Sequence, residues 1–126
     1  MVASSGLTWG DAPPVLPAGA KMAVVSGDPG KPEMFALRLQ MPAGYTIAPH
    51  WHPTDEHVTV ISGTFGLGMG ETLGNVKDLP AGSYAVLPAE MRHFAKAVTA
   101  TTVQVDGMGP FVINYVNAAD DPSKKK

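Results

Sequence analysis

The sequence predicts an all-β domain, either a sandwich or a barrel built from short strands. Short apolar runs recur along the chain, and several of them alternate in polarity or are rich in β-branched residues. The 14 glycines and 12 prolines among 126 residues supply turns between these runs. No segment shows a convincing helical period of 3.6 residues, so a chain of this length is expected to form one β domain with a real core.

The chain divides by composition into an extended proline-rich arm, a barrel and a polar tail, at residues 1–20, 21–117 and 118–126. Pro13, Pro14 and Pro17 exclude a helix from the arm. Trp9 is the bulky aromatic residue of the arm. We expect it to pack either on its own barrel or on a neighbouring subunit.

The clearest strand is Met34 to Met41, in which every second residue is a large apolar one. Residues 81–94 predict two strands joined by a proline-containing turn, and the second of them opens with His93. The polar stretch from 71 to 80 is predicted to be a turn region. The remaining strands are expected at residues 21–25, 57–62, 63–70, 101–106 and 111–116.

A pair of histidines and a carboxylate predict half of a metal site. His50 and His52 stand two residues apart, so on an extended strand both point to one face. Glu56 shares their parity if the chain stays extended. Ordinary surface histidines are the alternative, but that interpretation suits a lone histidine better than this triplet. His57 has the opposite parity and is expected at the surface or an interface, unless a β-bulge intervenes.

The strand at residues 63–70 places Phe65, Leu67 and Met69 on one face and glycines on the other. It does not fit a dinucleotide-binding loop, because Glu71 stands where the third glycine would fall. The glycine face is expected either to let a second sheet approach or to open a cavity beside the metal.

Composition removes several functional classes. The net charge of −2 creates no field that would attract nucleic acid or an anionic membrane surface. The chain lacks cysteine, which excludes disulfides, thiolate metal sites and cysteine nucleophiles. No run approaches the roughly 20 apolar residues of a membrane span. Residues 1–6 do not resemble a signal peptide, but a leader could have been removed, so both a cytoplasmic and an exported, periplasmic location stay open.

The spacing of these residues resembles the two sequence motifs of the cupin superfamily, in particular small single-domain bacterial cupins. Every fixed position of the first motif is filled, by Gly44, His50, His52, Glu56 and Gly63.

The second motif is matched in part. Gly82, Pro88 and His93 fit it, whereas Glu90 stands where cupins have glycine and Ala97 where they have asparagine. The two motifs occur in the right order, and the resemblance covers about residues 35–116.

The resemblance implies a small jelly-roll β-barrel that forms a homodimer, in which the arm and Trp9 are swapped between subunits or cover the barrel. It also implies one divalent transition metal, which could be Fe, Mn, Ni, Cu, Co or Zn. The implied ligands are His50, His52, Glu56 and His93.

Four protein ligands would leave an octahedral ion two open positions, which suits a metal-dependent, oxygenase-like enzyme acting on a small organic molecule. A non-catalytic ligand-binding or sensing module is the alternative, and a purely structural metal is a third possibility. Ordinary core packing competes with a pocket role for each apolar candidate. The pocket candidates are Met41, Tyr45, Tyr84, Met91 and Phe94.

Overall fold

A computed structural model describes residues 1–124, which form eleven strands and three short 3-10 helices. The strands are β1 (Gly10–Asp11), β2 (Lys21–Ser26), β3 (Met34–Met41), β4 (Thr46–Trp51), β5 (Glu56–Ser62), β6 (Thr64–Met69), β7 (Lys77–Pro80), β8 (Tyr84–Leu87), β9 (His93–Ala97), β10 (Thr101–Met108) and β11 (Asn114–Tyr115). The 3-10 helices are Ser4–Gly6, Ala118–Asp120 and Pro122–Lys124. Within residues 1–124 no helix is long and apolar enough to cross a membrane.

The strands form two antiparallel sheets. The larger sheet has the order β1-β2-β3-β10-β5-β8, and the smaller has the order β11-β4-β9-β6-β7. The last four strands in the chain lie alternately in the larger and the smaller sheet, so the connections wrap around the molecule. The predicted all-β jelly roll is confirmed.

The core lies between the sheets and is built by alternation along the central strands. Leu37 on β3 is fully buried, and Val60 on β5 and Val103 on β10 are each 1% exposed. On each of these strands the residues that alternate with the buried ones face outward and are half-buried or exposed. Burying each such side chain stabilises the fold by about 1.5–3 kcal/mol.

The observed strand bounds agree best with the predicted ones where apolar and polar residues alternate regularly. The predicted strand from Met34 to Met41 has the observed bounds of β3. Strand β7 was not expected, because Lys77–Pro80 is polar and forms an edge strand that buries little. Of the predicted strand at 111–116, only Asn114 and Tyr115 pair as β11. The last two residues of the predicted tail, Lys125 and Lys126, lie outside the described residues.

The arm folds back on its own barrel. Gly10 and Asp11 pair with Met22 and Lys21, and Leu16 is buried in the core at 4% exposure. Trp9 is half-buried.

The glycine face of β6 is covered by two side chains, one on β9 and one directly before β7. Gly68 pairs with Phe94 on β9, and a Cβ at Gly68 would lie 2.1 Å from Phe94 Cζ. A Cβ at Gly66 would lie 2.7 Å from Val76 Cγ2. The prediction that a second sheet or a cavity lies against the glycine face is therefore wrong, because Phe94 and Val76 fill this space.

Candidate metal centre

A local irregularity in β4 turns His50 toward the barrel interior. Ile47 pairs with Ala95 on β9, whereas His50 pairs with His93. Three residue steps on β4 therefore match two on β9, which is a β-bulge with one extra residue. The bulge lets Ile47 and His50 both face inward, although they differ in parity, and it sets His50 beside His93.

His52 and Glu56 flank the short turn between β4 and β5. His52 follows the last residue of β4, and Glu56 is the first residue of β5. Glu56 shares its inward face with Val58 and Val60, as strand parity requires. His57 lies on the outer face, where its Nδ1 hydrogen-bonds with the Tyr84 hydroxyl. The structure thus places His57 outside the candidate site.

Four buried polar side chains meet at one end of the barrel. One ring nitrogen from each of His50, His52 and His93 lies within 4.8 Å of the others. Glu56 Oε2 lies 3.0 Å from His52 Nε2, and its Oε1 lies 3.9 Å from His93 Nε2. The four side chains are between 1% and 9% exposed. This arrangement brings together all four residues that the cupin resemblance implies.

Backbone carbonyls orient the three rings. Each histidine directs Nδ1 to a main-chain oxygen, which accepts its hydrogen bond and leaves the Nε2 lone pair free. The acceptors are Ala48 O for His50 at 2.7 Å, Val112 O for His52 at 2.8 Å and Met91 O for His93 at 3.0 Å.

The free nitrogens fit a bound cation. His52 Nε2 and His93 Nε2 are buried and make no well-aligned hydrogen bond. Both face the Glu56 carboxylate, which is itself an acceptor. Two electron-rich groups 3.0 Å apart need a positive charge between them, either a proton or a metal ion. Three imidazole nitrogens and one carboxylate oxygen form a donor set that divalent transition metals accept.

Burial and mutual charge set the protonation of the site. Burial, together with His93 and His52, lowers the pKa of His50 to about 3, so this ring is neutral and its lone pair is available. Burial also lowers the pKa of His93. Burial lowers the pKa of His52 as well, but the Glu56 carboxylate outweighs it, and the net shift is upward. Burial raises the pKa of Glu56, whereas the histidines lower it more, so the carboxylate is ionised.

The site opens on a small cavity of about 30 Å³. This volume holds one or two waters. Apart from the four site residues its walls are apolar. They comprise Leu16, Leu39, Met41, Ile47, Val58, Phe65, Leu67, Leu87, Ala95, Val103, Val105, Phe111 and Ile113.

Among the five predicted pocket residues, Met41 lines this cavity and the other four do not. Tyr84 is 59% exposed on the outer face of the larger sheet, and Met91 is 39% exposed. Phe94 has the opposite parity to His93 and lies over Gly68. Tyr45 is buried, but its hydroxyl donates to Pro17 O in the arm.

Three wall residues outside the regular strands are not among the predicted pocket residues. Phe111 stacks on His52 with ring centroids 5.4 Å apart, and Ile113 is 7% exposed. Their alternation within the predicted strand 111–116 could have identified them. Leu16 lies in the proline-rich arm, where no periodicity signals an inward side chain.

A protein-family model matches most of the chain. Residues 1–113 match the family described as a domain of unknown function, DUF4437. A search of curated proteins found no match.

Several solved structures share the fold at identities below 25%. An RmlC-like cupin from Shewanella frigidimarina is 17% identical with a TM-score of 0.67, over 86% of this chain and 89% of that one. The polyketide cyclase RemF from Streptomyces resistomycificus is 15% identical with a TM-score of 0.79, over 98% and 89%. A putative acetylacetone dioxygenase from Methylibium petroleiphilum is 18% identical with a TM-score of 0.74, over 97% and 83%.

The two-sheet jelly roll agrees with the fold of these solved structures. The chain belongs to the DUF4437 family and has the fold of an RmlC-like cupin.

Proposed function

We propose that this protein is a metal-dependent cupin enzyme of the oxygenase type, acting on a small organic molecule. His50, His52, Glu56 and His93 would hold one divalent transition metal. The observation that carries the proposal is the pair of buried Nε2 atoms that lack an aligned hydrogen bond beside a carboxylate. The donor set is compatible with Fe, Mn, Ni, Cu, Co or Zn and does not select one of them.

The side chains around the site suit chemistry that resides in the ion. Three neutral imidazoles and one carboxylate would leave one net positive charge on a divalent ion. When bound, such an ion supplies Lewis-acid or redox chemistry. The titratable groups that line the cavity are the four site residues themselves, so no lining side chain is left as a separate acid or base. This favours an oxygenase over an isomerase, which needs a proton-transfer residue.

The apolar walls have two functions in this proposal. They keep bulk water from the site, which strengthens the attraction between the histidine nitrogens, the carboxylate and a bound cation. They also present an apolar surface to the carbon skeleton of a substrate. Sharing a fold with a putative dioxygenase and a polyketide cyclase supports a small organic substrate as a class.

Oxygen consumption tests the proposed reaction type. We expect Fe- or Mn-loaded protein to consume oxygen with at least one member of a panel of catechols, diketones and phenols. The His57→Ala variant should retain this activity, because His57 lies outside the site. A metal-loaded protein that consumes no oxygen with any panel member would contradict the oxygenase proposal.

Substitution of Glu56 by glutamine should separate metal affinity from the stability of the metal-free protein. Glu56→Gln keeps the side-chain shape and removes the charge, so metal affinity should fall by more than the roughly 10–100-fold typical of losing an outer partner of a ligand. The amide can donate to His52 Nε2, so the metal-free variant should unfold at the same temperature as the wild type or higher. Isothermal titration and thermal unfolding measure the two effects, and an unchanged affinity would remove Glu56 from the ligand set.

The small cavity favours a second candidate function. A space of about 30 Å³ suits an ion with one or two waters better than it suits a drug-sized ligand. A non-catalytic metal-binding or sensing module would fit this volume. Tight stoichiometric metal without turnover of any panel substrate would support it over the enzyme.

The cupin resemblance also supports a homodimer. Light scattering should then report about twice the chain mass of 13.1 kDa. A mass equal to that of one chain at micromolar concentration would contradict the dimer without affecting the metal site.

A further inference from the structure

Part of the cavity wall comes from a loop outside the regular strands. Residues 13–17, here called the arm loop, lie between β1 and β2, at the edge of the larger sheet. Leu16 from this loop is 4% exposed and lines the same cavity as the three histidines. The loop is hydrogen-bonded by Tyr115 of β11, the edge strand of the smaller sheet. The arm loop therefore bridges the open side between the two sheet edges.

Two tyrosine hydroxyls attach this loop to the barrel. Tyr45, directly before β4, donates to Pro17 O at 2.6 Å. Tyr115 donates to Val15 O at 2.6 Å, and its ring centroid lies 6.0 Å from that of His50. Burial raises the pKa of Tyr45 to about 12, so its hydroxyl keeps its proton at neutral pH. The attachment is thus made by side chains, next to a candidate ligand.

The main chain of the arm loop contributes little to holding it closed. Its three prolines have no N–H to donate. The Leu16 amide bonds within the loop, to Pro13 O at 2.9 Å. By contrast, Leu39, another residue of the cavity wall, lies on β3, which pairs on one side with β2 and on the other with β10. Segments held by few main-chain hydrogen bonds open at the lowest free energy.

We propose that the arm loop is the entrance to the metal cavity and that Leu16 limits the size of the ligand that enters. The inference rests on the proposed function, because it assumes that the cavity holds a metal. A cavity of about 30 Å³ admits nothing much larger than water while the loop is closed. A small organic molecule reaches the ion when the two tyrosine bonds break and Leu16 leaves the wall.

Metal release measures the opening directly. The full-length protein is loaded with Co²⁺, and its release into excess EDTA is followed by absorbance. Loss of one neutral hydrogen bond should raise the open population roughly fivefold. The Tyr45→Phe/Tyr115→Phe double variant should then release cobalt about 25-fold faster if the two effects add. Tyr84→Phe is the control, because Tyr84 lies on the outer face. Equal release rates for the double variant and the control would overturn the proposal.

A matched pair of core substitutions separates the entrance from general loosening. Leu16 and Leu39 have similar burial, at 4% and 5% exposure, and line the same cavity. Leu16→Ala should speed cobalt release more than tenfold relative to Leu39→Ala. Faster release in Leu39→Ala, or equal release in both, would show that general softening of the core controls release.

Thiol labelling of the metal-free protein tests the loop without any metal. The chain contains no cysteine, so Leu16→Cys and Leu39→Cys each introduce a single thiol into the cavity wall. Adding Tyr45→Phe and Tyr115→Phe should speed the reaction of the Leu16→Cys thiol with a soluble thiol reagent roughly 25-fold and leave that of the Leu39→Cys thiol unchanged. If the protein binds no cobalt, the proposed function fails and the labelling rates still decide whether the loop opens. If cobalt binds and the Leu16→Cys labelling rate does not change, the entrance proposal fails and the metal site stands.

Discussion

Replacing His93 or His50 by alanine should abolish stoichiometric metal binding. Each ring supplies one of the three clustered nitrogens. A metal that binds only the native state stabilises it by about 2.7 kcal/mol when free metal is a hundredfold above Kd. For a domain of this size that raises Tm by roughly 10 °C. The two variants should lose this metal-induced rise.

The measurement compares Tm with and without metal for each variant, together with metal content after dialysis. The difference removes any effect that the substitution has on the metal-free fold. His57→Ala is the matched control, because it removes the neighbouring imidazole from the outer face. Metal loss in His57→Ala equal to that in His93→Ala would show that the site is not where the strand parity places it.

Regular alternation explains which parts of the fold and site could be predicted. In β3 every second residue is apolar, and β3 has the bounds that the pattern indicates. The spacing of His50 and His52 placed two imidazoles on one side, and the structure has both pointing inward. In these segments local pattern and tertiary burial coincide, so the pattern predicts the structure.

The cavity walls depend on features that no local pattern records. The bulge between Ile47 and His50 changes the parity of β4, and only the pairing with β9 reveals it. Leu16 is inward because two distant tyrosines hold its loop. Tyr84 and Met91 were expected in the pocket because they are large and apolar, but tertiary structure leaves both exposed.

Gly68→Ala should be the most destabilising substitution of a glycine on β6. A Cβ at this position would lie 2.1 Å and 2.2 Å from ring atoms of Phe94, and this ring is 2% exposed. Since the ring lies against its cross-strand partner, it must move or β6 must separate from β9. Such overpacking costs about 1–3 kcal/mol. We expect Tm to fall by roughly 5–10 °C, measured by thermal unfolding of the metal-free protein.

The same substitution should also weaken metal binding, because Phe94 directly follows His93 on β9. Gly74→Ala is the control, since its nearest atom beyond its chain neighbours, Thr72 O, would lie 3.9 Å from the new Cβ. Its effect should stay within about 0.5 kcal/mol. The mechanism is tested further by Phe94→Leu, whose smaller side chain leaves room for a methyl group at position 68. If contact between Gly68 and the Phe94 ring is the cause, the double variant should be more stable than the sum of the single effects indicates. Strict additivity would mean that the damage of Gly68→Ala arises elsewhere in β6.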